Sequence, residues 1–309
     1  MKFLKPKFWH KNQISFFSIL LFPISAIVLF VNFIKYYVIK KHSYSIPIIC
    51  VGNIYLGGTG KTPFCIELFS MLKGFNKKIV FIRKKYNSFQ DEVNLLKLTA
   101  PVYESKKRMN ALNEAIQNNA EIAILDDGFQ DFSIKKKISI ICFNENQWIG
   151  NGLVIPSGPL RENLSALKRA NYTIINGKKN TNIEKEILKK NSKIKIFYSS
   201  YKPLNIEEFK NSKVIAFAGI GNPDNFFDLL KNNKINILEK ISFPDHYDYS
   251  SKELDHLLSR AEKTGSTLLT TEKDFYRISK KFQKNVKYLK IKVDIENKEK
   301  LIEEIKVII

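Results

Sequence analysis

From Ile14 to Ile34 the chain reads ISFFSILLFPISAIVLFVNFI, without a charged residue. About 20 apolar residues cross a hydrocarbon core as a helix, so this run predicts a membrane helix. It is too long for the apolar region of a cleavable leader, and Lys35, Tyr36 and Tyr37 follow it in place of small residues. Lys2, Lys5, Lys7 and Lys11 precede the run and Lys35, Lys40 and Lys41 follow it. Positive residues are retained on the cytoplasmic side, and here both ends carry them. Pro23 sits mid-run, where it removes a helical hydrogen bond and favours a kink. A bent, two-part helix dipping into the inner leaflet satisfies both features. A simple span and a buried core helix are the alternatives.

Beyond residue 43 the pattern changes to short apolar runs alternating with helical periods. Ile48 to Val51 is continuous and mostly β-branched, and it begins just after Pro47, as a buried parallel strand does. Thr62 to Lys73 has apolar residues at helical spacing and stops at Gly74. Further strands are predicted near 79–82, 101–104, 121–126, 138–143 and 172–176, with helical stretches between several of them. A second series starts at Lys213–Gly219 and continues with a helix from about Pro223. A strand near 237–243, a helix from Ser250 and a strand at Thr267–Thr271 follow. Such alternation implies a doubly wound α/β domain with a mostly parallel sheet and a second, smaller α/β domain. The expected division is 1–42 for the membrane-associated segment, 43–202 for the first domain and 203–309 for the second. The join falls in the polar stretch around Lys202 to Ser212.

Composition excludes several classes. With 309 residues, 44% hydrophobic and 26% charged, the chain is neither disordered nor too short for a substantial core. Its 3 cysteines (Cys50, Cys65 and Cys142) have no CxxC spacing, which argues against a disulfide framework or structural zinc and fits a reducing cytoplasmic setting. The formal charge of +21 suits nucleic acid, an anionic membrane face or a phosphorylated substrate. A bias toward Lys, Asn and Ile accounts for such an excess equally well, so charge alone selects no function.

Chemistry enters between the first strand and the first helix after residue 43, as Gly57-Gly58-Thr59-Gly60-Lys61-Thr62-Pro63. A glycine-rich turn in that context lets backbone N–H groups converge on phosphate oxygens at a helix N-terminus. Lys61 would reach the β- and γ-phosphates and the Thr62 hydroxyl would ligate Mg²⁺. The G-x-x-x-x-G-K-[ST] consensus has glycine at position 55, where this chain has Tyr55. The strand ending in Asp126-Asp127 has the form that supplies a metal carboxylate. Two adjacent carboxylates repel unless a cation or a proton intervenes. Of the histidines His10, His42, His246 and His256, His256 falls on a predicted helix and reads as structural or solvated. His246 sits in a loop just past a predicted strand, where chemistry concentrates.

Taken together, the segments resemble the tetraacyldisaccharide 4'-kinase (lipid A 4'-kinase) family. The matching stretches are Val51-Gly-Asn-Ile with GGTGKTP, LDDGFQ at 125–130 and IPSGPLRE at 155–162. GIGNP at 219–223, FPDHYDY at 243–249 and TTEKD at 270–274 complete the series. That family also lacks the first P-loop glycine. The resemblance implies a P-loop NTPase-type fold with an apolar N-terminal membrane helix. It also implies transfer of the ATP γ-phosphoryl, with Mg²⁺, to the 4'-hydroxyl of an anionic acylated glucosamine disaccharide 1-phosphate. It places the chain on the cytoplasmic face of the bacterial inner membrane, with the lipid surface as partner and no nucleic acid or obligate protein partner expected.

Position by position, the resemblance gives the phosphate-binding loop to Gly57, Gly58, Thr59, Gly60, Lys61, Thr62 and Pro63. It gives the metal shell to Thr62, Asp126 and Glu162, and catalysis to Lys61, Asp127, Asp91 and His246. Asp91 with His246 would activate the hydroxyl, the carboxylate either orienting the imidazole or accepting the proton itself. Two departures stand out. The family's LSRGYG is Ile82-Arg-Lys-Lys-Tyr86 here, and Asp131 replaces the histidine that usually follows GFQ. The rival readings are a P-loop kinase with another acceptor, a membrane-attached NTPase switch, and a nucleic-acid-binding protein prompted by charge alone. Asn176-Gly177-Lys178 lacks the guanine-reading N-K-x-D pattern, and no nucleic-acid motif is present.

Overall fold

The computed structural model describes residues 6–9, 14–86 and 90–309. Lys2, Lys5, His10 and Lys11 lie outside the described residues. In chain order the elements are α1 (Phe16–Val38), β1 (Ile48–Gly52), α2 (Lys61–Leu72), β2 (Ile79–Lys84), α3 (Gln90–Lys97), β3 (Val102–Ser105), α4 (Arg108–Gln117), β4 (Ile122–Asp126) and β5 (Ile138–Asn144). They continue as β6 (Tyr172–Asn176), α5 (Thr181–Lys190), β7 (Lys195–Pro203), β8 (Lys213–Ala218), α6 (Pro223–Asn232), β9 (Asn236–Ser242), α7 (Ser251–Lys263) and β10 (Thr267–Thr271). α8 (Glu272–Phe275), α9 (Lys280–Gln283), β11 (Lys287–Leu289), β12 (Ile291–Ile295) and α10 (Lys298–Ile308) complete the chain.

These elements group into two compact units. Among the described residues, the larger comprises those of Lys5–Lys85, Thr99–Ser200 and Asp294–Ile309; the smaller comprises those of Tyr86–Leu98 and Tyr201–Val293. Both are therefore discontinuous. α3 belongs with the smaller unit although it lies between β2 and β3, and α10 belongs with the larger although it ends the chain.

The larger unit is built on a sheet in which the strands run in the order β7-β6-β5-β1-β4-β2-β3. Every pairing from β7 to β3 is parallel. β1, β4 and β5 are buried throughout, which explains their continuous apolar runs. β1 lies between β4 and β5, so the strand order reverses beside it, and such switch points are where ligands bind at the carboxyl ends of strands. The register sets Val51 opposite Asp126. The smaller unit has an all-parallel sheet, β11-β10-β8-β9, with a core that includes Phe217, Leu254, Leu257 and Leu268 on one side. On α7 the capping box of Ser250 and Glu253 fixes the helix start, and His256 is exposed as expected.

The expected two-part apolar helix is a single helix, α1, which runs through Pro23. Ser15 caps it by accepting from the Ser18 amide. Ser18 and Ser25, on either side of Pro23, are buried and hydrogen-bonded to Asn151 and Val154. α1 is the helix among the described residues long and apolar enough to cross a membrane.

The end of β1 is sterically exacting. A Cβ built on Gly52 would meet the Phe129 Cβ at 2.4 Å. Gly52→Ala is expected to lower stability by about 1–3 kcal/mol, the usual cost of forcing a methyl into a packed core. The check is a lower urea midpoint at unchanged slope.

Candidate active site

The glycine-rich turn takes its shape from backbone that only glycine adopts cheaply: Gly57, Gly58 and Gly60 have φ of 76°, 73° and 81°. Asn53, fully buried, donates from Nδ2 to Thr59 Oγ1 at 2.8 Å and ties the two ends of the turn together. Lys61 opens α2, with Thr62 and Pro63 in its first turn. Pro63 has no amide to offer a phosphate; it suits a helical first turn, where no intrahelical donor is needed. Tyr55 does not disturb the turn. Its side chain is buried in a small apolar cluster with Val154 and Leu160, and burial pushes its hydroxyl up to about 12.

Asp126 and Asp127 diverge. Asp126, at the end of β4, is buried with Oδ2 3.3 Å from the Thr62 hydroxyl, which donates to it, and 3.4 Å from Arg83 Nε. Asp127 has a left-handed backbone, φ 57°. Its amide donates to Val51 O at 2.9 Å, and its carbonyl accepts from Arg108 Nη2 at 2.6 Å. Its carboxylate accepts from Arg161 Nη1 at 2.8 Å, with Lys61 Nζ at 3.8 Å. Burial pushes the Asp127 carboxyl up, but Lys61 and Arg161 outweigh it and hold the group at about 2. The expected repulsion is thus relieved by cations, Arg83 for one acid and Lys61 with Arg161 for the other.

Glu162 is reached by another route. It accepts from Arg169 Nη2 at 2.9 and 2.7 Å and from Gln130 Nε2 at 3.1 Å. Gln130 also donates to Asn53 O at 2.9 Å, so it links Glu162 to the base of the phosphate turn. Asp131, where the resembled family has histidine, accepts from Ser133 Oγ at 2.6 Å and pairs with Arg108 at 3.4 Å. Arg108 therefore braces Asp127 and Asp131 together. Thr62 and Asp126 offer hard oxygen donors side by side, as Mg²⁺ requires, since that ion keeps several waters and needs few protein ligands.

In the smaller unit Asp91 and His246 come together. Asp91, on α3, is buried with Oδ1 3.4 Å from His246 Nδ1; its Oδ2 accepts from Arg277 Nε at 2.9 Å. Burial pushes the Asp91 carboxyl up, but His246, Lys273 and Arg277 together hold it well below the usual carboxylate range. His246 also has a left-handed backbone, φ 56°, with its amide donating to Gly219 O at 3.0 Å. Its Nε2 is 3.2 Å from Lys273 Nζ. Lys273 in turn lies 2.9 Å from Glu92 and 3.7 Å from Asp245.

Behind this pair stands Asp274, which is fully buried. It accepts from the Gly219 amide (3.1 Å), Tyr249 hydroxyl (2.8 Å), Thr271 hydroxyl (2.6 Å) and Arg277 Nη1 (3.0 Å). GIGNP, FPDHYDY and TTEKD are thereby three walls of one cluster around Asp91 and His246. Lys273, Asp274 and Arg277, in or just after TTEKD, carry no local sequence signal for the roles they take here. Arg83, Arg108, Gln130 and Arg161 were likewise missed from sequence, though Gln130 and Arg161 lay in plain view inside LDDGFQ and PLRE.

The family model described as tetraacyldisaccharide-1-P 4'-kinase matches residues 17–309. The chain is 43% identical over 307 residues to the tetraacyldisaccharide 4'-kinase of Pelagibacter ubique (strain HTCC1062), covering 97% of this chain and 96% of that protein. It is 33% identical to the enzyme of that name from Rickettsia bellii (strain OSU 85-389), covering 99% and 98%. A crystal structure of the Aquifex aeolicus protein in complex with ATP is similar with a TM-score of 0.72 at 28% identity, covering 94% of this chain and 99% of that one. A glycine-built phosphate turn, paired carboxylates at the switch point and near-complete relatives lead to one assignment: the chain belongs to the tetraacyldisaccharide-1-P 4'-kinase family.

Proposed function

We propose that the residues assembled above transfer the γ-phosphoryl group of ATP to the 4'-hydroxyl of an anionic acylated glucosamine disaccharide 1-phosphate, at the cytoplasmic face of the inner membrane. The observation that carries this reading is the contact of Thr62 with Asp126 at the head of a glycine-lined turn that runs into Lys61. Backbone amides and Lys61 would grip the β- and γ-phosphates, and Lys61 would neutralise charge on the transferring group. Thr62 and Asp126 would hold Mg²⁺, with Glu162 close in sequence to the arginine that contacts Asp127. When bound, the ion would neutralise phosphate charge. Asp127, kept ionised by Lys61 and Arg161, would keep both cations aimed at one place.

On the acceptor side, Asp91 is buried and ionised while His246 is the more accessible partner, 17% exposed at the side chain against 2%. This supports a division of labour in which the imidazole meets the hydroxyl and the carboxylate orients it. Such proton acceptance is worth about 10²–10⁴ in rate. A lipid acceptor fits α1, whose outward residues are apolar, and fits Lys35, Lys40 and Lys41 near anionic headgroups.

Purified protein with Mg-ATP and tetraacyldisaccharide 1-phosphate in detergent should move labelled γ-phosphate onto the lipid. Label appearing only as inorganic phosphate, lipid or no lipid, would favour the NTPase reading. Asp91→Asn and His246→Asn should each lower kcat by about 10²–10⁴ with ATP binding retained; asparagine suits position 246 because it tolerates a left-handed backbone. Full turnover of the His246 variant would transfer the proton-accepting role to Asp91.

The charge state of Asp127 also predicts a pH dependence. Its folded value of about 2 lies below the ordinary 3.8, so the unfolded chain binds more protons between those limits. The stability that Asp127 contributes is complete above about pH 4 and is lost as pH falls toward 2. Urea unfolding across that range should show a shallower acid slope in Asp127→Asn than in the wild type.

A further inference from the structure

We propose that α1 is a structural wall of the phosphate site as well as a membrane attachment, with Asn32 and Tyr36 acting as positioning residues for Arg161 and Glu162. The proposal rests on the roles given above to those two residues.

α1 is built inside out. Phe16, Phe17, Ile19, Leu20, Phe22, Ile27, Phe30 and Phe33 are exposed, while Ser18 and Ser25 are buried. Ser18, Ser25 and Asn32 recur every seven residues, which returns to nearly the same helix face, and Tyr36 follows Asn32 by one turn. That face is hydrogen-bonded along its length. Ser18 Oγ accepts from Asn151 Nδ2 at 3.2 Å. Ser25 Oγ donates to Val154 O and lies 2.8 Å from Ser157 Oγ, and it accepts from the Ser157 amide at 3.1 Å. Asn32 Nδ2 donates to Arg161 O at 3.3 Å.

The contacts of Asn32 and Tyr36 lead to the site. Arg161 is pinned on both sides: its carbonyl by Asn32, its amide by Ile54 O at 2.7 Å, just ahead of the glycine turn. Its guanidinium is the one on Asp127. Tyr36 meets Phe132 edge-on with ring centroids 5.4 Å apart. The guanidinium of Arg169, which grips Glu162, lies 4.6 Å from the Phe129 ring, 5.0 Å from Phe132 and 5.4 Å from Tyr36. Tyr55, at the start of the phosphate turn, is in a cluster against which Val28 and Leu29 of α1 pack. A helix that served only as an anchor would accept any apolar residue at these inward positions; one that fixes the site would not.

The test uses the full chain, with Asn32→Leu and Tyr36→Leu, which keep the helix apolar. Flotation with vesicles of anionic and zwitterionic phospholipid should be unchanged. kcat/KM for ATP should fall by about three- to tenfold in each, the kinetic equivalent of one ordinary hydrogen bond or ring contact. The Mg²⁺ concentration for half-maximal rate should rise in Tyr36→Leu, and Tyr36→Phe should restore it. Arg161→Ala and Glu162→Gln serve as references. If both lose activity while the α1 variants behave as wild type, the positioning role is overturned and the site reading stands. If both references keep full activity, the site reading itself fails. Activity lost together with flotation would mean that α1 only anchors. Should Asn32→Leu not fold, the Tyr36→Leu and Tyr36→Phe pair decides the matter alone.

Discussion

Asp126 and Asp127 stand side by side at the buried end of β4, and the surrounding cations answer to that placement. A carboxylate taken out of water costs several kcal/mol unless it is paired and hydrogen-bonded. Two in succession can coexist only if they point to different partners. The chain achieves this by switching backbone conformation between them: Asp126 keeps strand geometry and faces Thr62 and Arg83, while Asp127 turns left-handed and faces Lys61 and Arg161. Arg108 on the Asp127 carbonyl holds the turned peptide in place. Strain of this kind is kept where surrounding contacts over-determine it, and such residues cluster at functional sites.

The same logic operates in the smaller unit. Asp91, Glu92, Asp245 and Asp274 are brought together around the cations Lys273 and Arg277. His246 is held among them by a second left-handed backbone. Lys273, Arg277 and His246 keep Asp91 ionised against its acidic neighbours, and the proposed role asks only that an ionised carboxylate stand behind the imidazole, with no covalent chemistry.

Much of this was legible in the chain. Buried parallel strands announce themselves as continuous β-branched runs, so β1, β4, β5 and β6 fell where expected, and the glycine turn between β1 and α2 needed no tertiary information. β7, β11 and β12 were not read out. β7 is amphipathic and partly polar, KIFYSSYKP, β11 has only three residues, and β12, IKVDI, is interrupted by charge. The discontinuity of the units was hidden for a related reason, since nothing local in Tyr86–Leu98 or Asp294–Ile309 reveals which core it joins. Asp126 and Asp127 were nominated because acid at a strand end is a local signal, Asp91 and Glu162 only through the resemblance. Their cations were not, because Arg83 comes from β2, Arg108 from α4 and Arg277 from beyond α8, and only the fold brings them near.

α1 shows how a strong signal can mask a weaker one. Its hydrophobicity dominates any reading, yet Ser18, Ser25 and Asn32 carry the positional information. In hydrocarbon no hydrophobic force drives a helix against protein, because lipid tails are as apolar as leucine. Small residues that allow close approach, and polar residues that find partners, must then supply the cohesion. The partners chosen here are backbone and side-chain groups of 151–161, the loop that ends in Arg161 and Glu162. For an enzyme whose acceptor is itself a lipid, this arrangement has a direct consequence. In the role proposed for α1, the Asn32 side chain would tie the Arg161 loop to a helix that meets the lipid surface. Membrane attachment and assembly of the phosphate site would then be set by opposite faces of one helix.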